Sequence, residues 1–225
     1  MGQDLNDYHK YVIQDGRHIG DYETMWRECP DPWRIEELGV RLDMLAALLL
    51  LGRVPAVEKV LDGGAGSGLF TLEAARRLKE RSPGFTLVVS DISPAALAKA
   101  ETRLREADLG LSLHFRPFDL RLLGSRQCPW PANSFDLIIL AQVLWGVADF
   151  LEGLFPALGQ MLAPGGHLLM SQHFFQPGLQ KYAADKVTCP ERLIELAGEA
   201  GFELRHSLET DRHVNHHWAG LWISS

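Results

Sequence analysis

The chain has 225 residues, 46% of them hydrophobic, and a net charge of −7. That length and apolar fraction suit one main domain with a sizeable core, and the acidic balance argues against a nucleic-acid reader, which normally presents a basic face. The longest apolar run, 44–51, is far short of the ~20 residues a membrane span needs, the opening MGQDLNDYHK has no signal-peptide core, and Cys29, Cys128 and Cys189 lack paired spacing, so a cytoplasmic protein without disulfides is expected.

Residues 1–34 are polar with interleaved aromatic side chains, Tyr8, Tyr11, Tyr22, Trp26 and Trp33. They read either as a lid or as a cover on the edge of the core. Asp31-Pro32-Trp33 is a turn, because proline fixes its own φ and restricts the residue before it. Apolar positions over 35–51 recur with helical spacing and stop at Gly52, so 1–52 is expected as an N-terminal helical cap and 53–225 as the main domain. A first buried strand follows at 57–61, ending in Asp62. Gly63, Gly64, Gly66 and Gly68 then make a turn that permits positive φ and close approach of a ligand to the backbone. A helix over 69–80 is stopped by Ser82-Pro83-Gly84. Its basic end, Arg76, Arg77, Lys79 and Arg81, suits the helix dipole rather than a phosphate backbone. Strand, glycine turn and helix together are the layout of a nucleotide-type site at the carboxyl end of a parallel strand.

The pattern then repeats. A second strand, 86–90, ends in Asp91; Ser93 and Pro94 open a helix to 106. A third strand, 111–116, leads to Asp119, and a fourth, 135–141, to Gln142. A helix over 147–162 ends at Ala163-Pro164-Gly165-Gly166, followed by a fifth strand at 167–171, a helix at 191–200 and two closing strands, 202–208 and 217–223. Alternating strands and helices predict an α/β fold: a Rossmann-like, doubly wound sheet of seven strands, mostly parallel with an antiparallel C-terminal strand and helices on both faces.

The glycine turn is neither a dinucleotide fingerprint nor a P-loop. A third glycine is missing at 69 or 71, which are Leu and Thr, and no Gly-Lys-Ser/Thr ending is present. The spacing Asp62-x-Gly64-x-Gly66-x-Gly68 resembles the first motif of the class I S-adenosylmethionine (SAM) methyltransferase family. Asp91 falls roughly 20 residues past the glycines, where an acid holds the ribose hydroxyls in doubly wound folds. Asp31-Pro32-Trp33-Arg34, Ala141-Gln142-Val143-Leu144-Trp145 and the stretch 161–168 extend the resemblance to NodS-like small-molecule methyltransferases. The resemblance implies SAM as cofactor, with S-adenosylhomocysteine as product. It implies that Asp62, Gly63, Gly64 and Gly66 meet its amino-acid end, Asp91 and Ile92 its ribose, and Asp119 and Leu120 its adenine. Gln142 would lie beside the methionine end, and Trp33 and Arg41 near the entrance. The Asn/Asp-Pro-Pro-Tyr/Phe motif of nucleobase and glutamine methylation is absent at 141–145.

His173, just past the fifth strand, is the candidate general base, with Tyr11, His18, Tyr22 and Trp145 as further pocket candidates. His213, His216 and His217 do not make a metal site on this reading, because adjacent strand residues point to opposite faces. The function expected is SAM-dependent methyl transfer to a nitrogen or oxygen atom of a small molecule, such as an amino sugar, another saccharide or a natural product. The alternatives are a nicotinamide-dependent oxidoreductase and a non-catalytic SAM-binding module. Neither a nucleic acid nor a membrane is expected as partner, and the sequence leaves the oligomeric state open.

Overall fold

The seven strands expected from the sequence form one seven-stranded sheet in the computed structural model, which describes residues 7–14, 17–35, 44–175, 178–180, 183, 185–212 and 215–224. In chain order the elements are α1 (His9–Val12), the two-residue strands β1 (Ile13–Gln14) and β2 (Arg17–His18), α2 (Tyr22–Glu28), α3 (Leu45–Leu51), β3 (Lys59–Gly63), α4 (Leu69–Lys79), β4 (Thr86–Asp91), α5 (Pro94–Glu106), β5 (Ser112–Pro117), β6 (Phe135–Ala141), α6 (Leu151–Met161), β7 (Leu162–Phe175), α7 (Pro190–Glu199), β8 (Phe202–Arg212) and β9 (Asn215–Ser224). The sheet order is β5-β4-β3-β6-β7-β9-β8. The first five of these strands pair in parallel, and β9 runs antiparallel to both β7 and β8.

Alternate residues of the same strand enter two different cores, as the two-residue period of a strand requires. Val60, Val89, Leu137, Ile139 and Leu169 pack with α3, α4 and α5. Leu61, Val88, Ile138, Leu140, Leu168 and Met170 pack with α6 and α7 on the opposite face. With both faces covered, β6 (FDLIILA) reads as a nearly unbroken apolar run rather than an alternating one. The Pro-Gly-Gly stretch lies within β7. The pairing with β6 skips there, from Phe135 opposite Leu162 to Leu137 opposite His167, so Ala163 to Gly166 bulge from the ladder.

Two differences from the sequence reading bear on the site. First, β3 runs to Gly63, so Asp62 is a strand residue sealed in the sheet rather than the first residue of a turn. Second, residues 7–14 and 17–28 contain defined elements: α1, the paired strands β1 and β2, and α2 close on Tyr11, Val12, Met25, Trp26 and Cys29, together with Ala96 of α5. The expected helix over 35–51 appears in its last part as α3. Arg41 and His213 lie outside the described residues.

Candidate functional site

The carboxyl ends of β3, β4, β6 and β7 meet at one edge, where the parallel pairing aligns Gly63 with Ser90 and Ala141 with Ser171. The turn after β3 folds back onto β4: the N–H groups of Gly64 and Ala65 both donate to the Ser90 carbonyl. Gly64 sits at φ +75°. A Cβ there would lie 2.6 Å from Cγ2 of Val143, so the turn also touches the end of β6. Gly68 opens α4 at φ +75°, with Ala100 of α5 so near that a Cβ would fall 2.8 Å from it. Glycine is required at both positions, by sign of φ and by close approach.

Two acids flank this turn, one within β3 and one at the end of β4. Asp62 is 2% exposed, and its only hydrogen bond among the described residues comes from the Thr71 hydroxyl, at 2.6 Å. Burial drives its pKa from 3.8 up to about 7; Thr71 opposes the shift and the nearby Asp91 adds to it. Asp91 is also buried. Its Oδ2 accepts from Gly66 N–H and its Oδ1 from Ser93 N–H, each at 2.9 Å. Burial raises its pKa, while those two N–H groups pull the other way. Each oxygen of Asp91 has accepting capacity left, as a vicinal diol requires. Ile92, the next residue, is among the exposed large hydrophobics.

Asp119 caps the short 3-10 turn that follows β5. Both of its oxygens are taken by Arg121, whose Nε and Nη2 donate at 2.7–3.0 Å. Burial works to raise the Asp119 pKa, but the bonds from Arg121 outweigh it and hold the carboxyl below its ordinary range. Leu120 packs against Gly63, where a Cβ would sit 3.1 Å from Leu120 Cδ2.

The N-terminal segment roofs this edge. Glu23 accepts from Ser93 Oγ (2.6 Å) and Ala95 N–H (3.1 Å), so it caps α5 from outside. Trp26 lies on the glycine turn: a Cβ on Gly66 would be 3.0 Å from its ring. Tyr22 reaches Gly146 and donates to or accepts from His18 Nε2 at 2.9 Å; burial, and then the charge of Asp91, push its pKa up to about 12. Trp33 stands behind them, in contact with the rings of Tyr8, Tyr22 and Trp26. Tyr11 bonds Glu28 and ties α1 to α2. Sequence reasoning missed Glu23, Thr71 and Val143 and gave Trp26 no site role. Only Glu23, in the first turn of a helix capped by Asp21, carried a local signal.

On the other side, Gln142, at φ +59°, joins β6 to β7. Its Oε1 lies 3.0 Å from both the backbone N and the ring Nδ1 of His173. His173 is packed among Trp145, Phe175 and His217, with ring centroids 5.3–6.0 Å away. Burial, and then His217, lower its pKa to about 4, so the ring is neutral at physiological pH. His217 faces His173, whereas His216 pairs with Glu209. No cluster of three metal-ligating side chains occurs among the described residues.

A groove of about 690 Å³ lies elsewhere, on the side of β5 between Lys59, Arg116 and Trp130. It contains none of these acids or turns, and the converging strand ends are the better candidate for chemistry. No helix among the described residues is long and apolar enough to cross a membrane.

The residues at this edge fit SAM. The turn presents backbone at glycines, Asp91 has free acceptor capacity beside it, and the buried Gln142 amide NH₂ has no partner among the described residues. A methyltransferase-domain family model matches residues 61–170. The demethylmenaquinone methyltransferase of Thermus thermophilus is 29% identical over 221 residues, covering 77% of this chain and 93% of that one. The demethylmenaquinone methyltransferase of Tropheryma whipplei strain Twist is 33% identical over 171 residues, covering 73% of this chain and 64% of the relative. Among solved structures, the N-methyltransferase NodS of Bradyrhizobium japonicum WM9, in complex with S-adenosylhomocysteine, superposes with a TM-score of 0.68 at 20% identity, covering 98% of this chain and 99% of that one. The strand order, the glycine turn and the family match agree: SAM rather than a nicotinamide is the cofactor, and the chain is similar to the class I SAM-dependent methyltransferases.

Proposed function

We propose that the chain methylates a nitrogen or oxygen atom of a small molecule that lies beside His173, Trp145 and Phe175. The observation that carries this reading is a neutral, half-buried imidazole held among aromatic rings at the strand ends next to the glycine turn. When bound, SAM supplies an electrophilic methyl group on a sulfonium. Asp91 accepts from its ribose hydroxyls, Ile92 and Leu120 pack near its nucleoside, and Asp62 with Gly63, Gly64 and Gly66 meets its amino-acid end. Asp119 is already engaged by Arg121, so it offers the adenine amino group one remaining lone pair at most. Gln142 stands at the methionine end, with Trp33 and Arg41 assigned to the entrance. The cap, assigned to 1–52, works through α2, because α3 is packed inside the core.

His173 accepts a hydrogen bond from the acceptor's N–H or O–H and thereby aims its lone pair, so positioning supplies much of the catalysis. A ring with so low a pKa is a weak base. That favours an acceptor that reacts as a neutral amine over an alkyl hydroxyl that must first lose its proton. A second reading, methylation of a quinol ring carbon, is supported by the names of the Thermus and Tropheryma relatives and by the aromatic walls.

The test is transfer from deuteromethyl-labelled SAM to a panel of amino sugars, saccharides and quinols, with product fragmentation to locate the new group. Label on nitrogen or oxygen, lost at least about tenfold in His173→Asn, meets the proposal; label on ring carbon moves the assignment to the second reading. Binding of S-adenosylhomocysteine with no transfer to any acceptor would leave a non-catalytic SAM-binding module.

A further inference from the structure

We infer that Gln142 is a positioning residue that fixes the tautomer of His173 and leaves the ring Nε2 as the free lone pair. The inference rests on the acceptor reading above for its consequence, but on geometry alone for its content. A backbone N–H can only donate. The atom of the Gln142 amide that lies 3.0 Å from His173 N is therefore the oxygen, and the amide orientation is settled without appeal to density. The same oxygen lies 3.0 Å from His173 Nδ1. Two acceptors do not hydrogen-bond, so Nδ1 carries the proton and Nε2 does not. Among the described residues Nε2 has no hydrogen-bond partner, which leaves its lone pair for a ligand.

The groups facing this ring are His217 on β9, the edge-on ring of Trp145, Phe175 on its own strand and Gln142 itself. No carboxylate among the described residues is paired with it; Glu209 is taken by His216 on the other side of β9. Among the described residues, the group hydrogen-bonded to the ring is thus an uncharged amide. Gln142 is held there in a conformation poor for stability: a left-handed backbone at φ +59° and a buried NH₂ with no partner among the described residues. Such strain at a site residue marks a functional constraint. The buried NH₂ donors have no partner among the described residues, and an oxygen atom of a bound ligand would satisfy them.

Long-range ¹H–¹⁵N correlation spectra of the full chain labelled with ¹⁵N-histidine read the tautomer directly, with His173→Asn to assign the signal. At pH 7 and without cofactor, His173 is expected in the Nδ1–H form. Gln142→Met keeps the length of the side chain and removes the acceptor, and the ring is expected to shift towards Nε2–H, with kcat falling about tenfold or more. Gln142→Glu restores an acceptor. It is expected to return the ring to Nδ1–H, raise its titration midpoint and recover part of kcat. An Nε2–H ring in the wild type, or an unchanged Nδ1–H ring in Gln142→Met, overturns the inference. The wild-type spectrum decides even if a variant fails to fold. It also stands apart from the acceptor reading, which fails if the label lands on carbon, if no acceptor is methylated, or if His173→Asn keeps full activity.

Discussion

Replacing Asp62 with asparagine should stabilise the free protein at neutral and alkaline pH while weakening its hold on the cofactor. Asp62 is sealed, has one hydrogen bond, and has no cation among the groups that shift its pKa. Its carboxyl titrates near 7 in the fold, against 3.8 when unburied. Because the folded value is the higher one, the folded state binds the extra proton between these two pH values. Stability from this group is full below about pH 4 and is lost as pH rises through 7. The gap of about three pH units, at 1.36 kcal/mol each, comes to about 4 kcal/mol. Asparagine mimics the protonated side chain and carries no such penalty. Urea unfolding of wild type and Asp62→Asn at pH 5, 6, 7 and 8 isolates the term, because all other titrating groups cancel in the difference. The variant should gain on the wild type by about 2.5 kcal/mol between pH 5 and 8, most of it below 7, and S-adenosylhomocysteine titration should show at least about tenfold weaker binding. A difference that stays constant with pH would refute the burial argument for Asp62.

Glu23→Ala removes the carboxylate that receives Ser93 Oγ and Ala95 N–H. Loosening α2 by about 1 kcal/mol, the usual worth of a helix-capping bond, should weaken S-adenosylhomocysteine binding about fivefold by calorimetry; unchanged affinity would separate α2 from the site. Gly68→Ala puts a Cβ 2.8 Å from Ala100 Cβ and 2.9 Å from its Cα, at φ +75°. Left-handed strain of about 1–2 kcal/mol plus overpacking of about 1–3 kcal/mol should lower the urea midpoint clearly, whereas Gly84→Ala, with nothing within 4 Å, should not. His173 titrates near 4 in the fold and near 6.5 when unburied. Its contribution to stability is therefore full above about 6.5 and lost as pH falls towards 4, and kcat/KM should show no inflection from it between pH 5.5 and 8; an acid limb at 6.5 that vanishes in His173→Asn would contradict its burial.

The sheet was legible because its central strands are buried on both faces and so announce themselves as apolar runs bounded by glycine, proline and acids. What escaped was of two kinds. Some elements are too short for periodicity to speak: β1 and β2 have two residues each and α1 four. Strands β8 and β9 were drawn too short because their ends, such as Glu209 to Arg212, are polar where they extend past the core. The other kind is contact across the chain. Trp26 on Gly66, and Glu23 on Ser93 some seventy residues away, leave no local trace. The pairing of Gln142 with His173 was within reach, since β6 and β7 pair in parallel up to Ala141 opposite Ser171, although β7 runs on to Phe175 and His173 lies within it rather than just past a strand ending at 171. The identity of the acids needed no structure, but their energetics did. Asp62 looked like a turn residue and is a buried one.

That burial also explains the choice of cofactor. The charge of Asp91 raises Asp62's cost of ionisation and that of Glu23 raises Asp91's, and no cation figures among the groups that act on either. A site of this kind complements a ligand that brings hydroxyl donors and positive charge. SAM brings a ribose, an ammonium and a sulfonium. A dinucleotide would bring a pyrophosphate against the same two carboxylates, where like charges in a low dielectric repel by several kcal/mol. On the proposed reading, the missing third glycine and the two carboxylates without a cation acting on them have one physical meaning: the turn passes close to a cationic amino acid rather than cradling an anion. It follows that cofactor binding should be proton-linked. A cation placed beside Asp62 lowers its pKa, so binding near pH 6 should release a proton that Asp62→Asn does not release. Calorimetry in two buffers of different ionisation enthalpy reads that proton directly, and equal proton release from both proteins would mean that the positive end of the cofactor does not face Asp62.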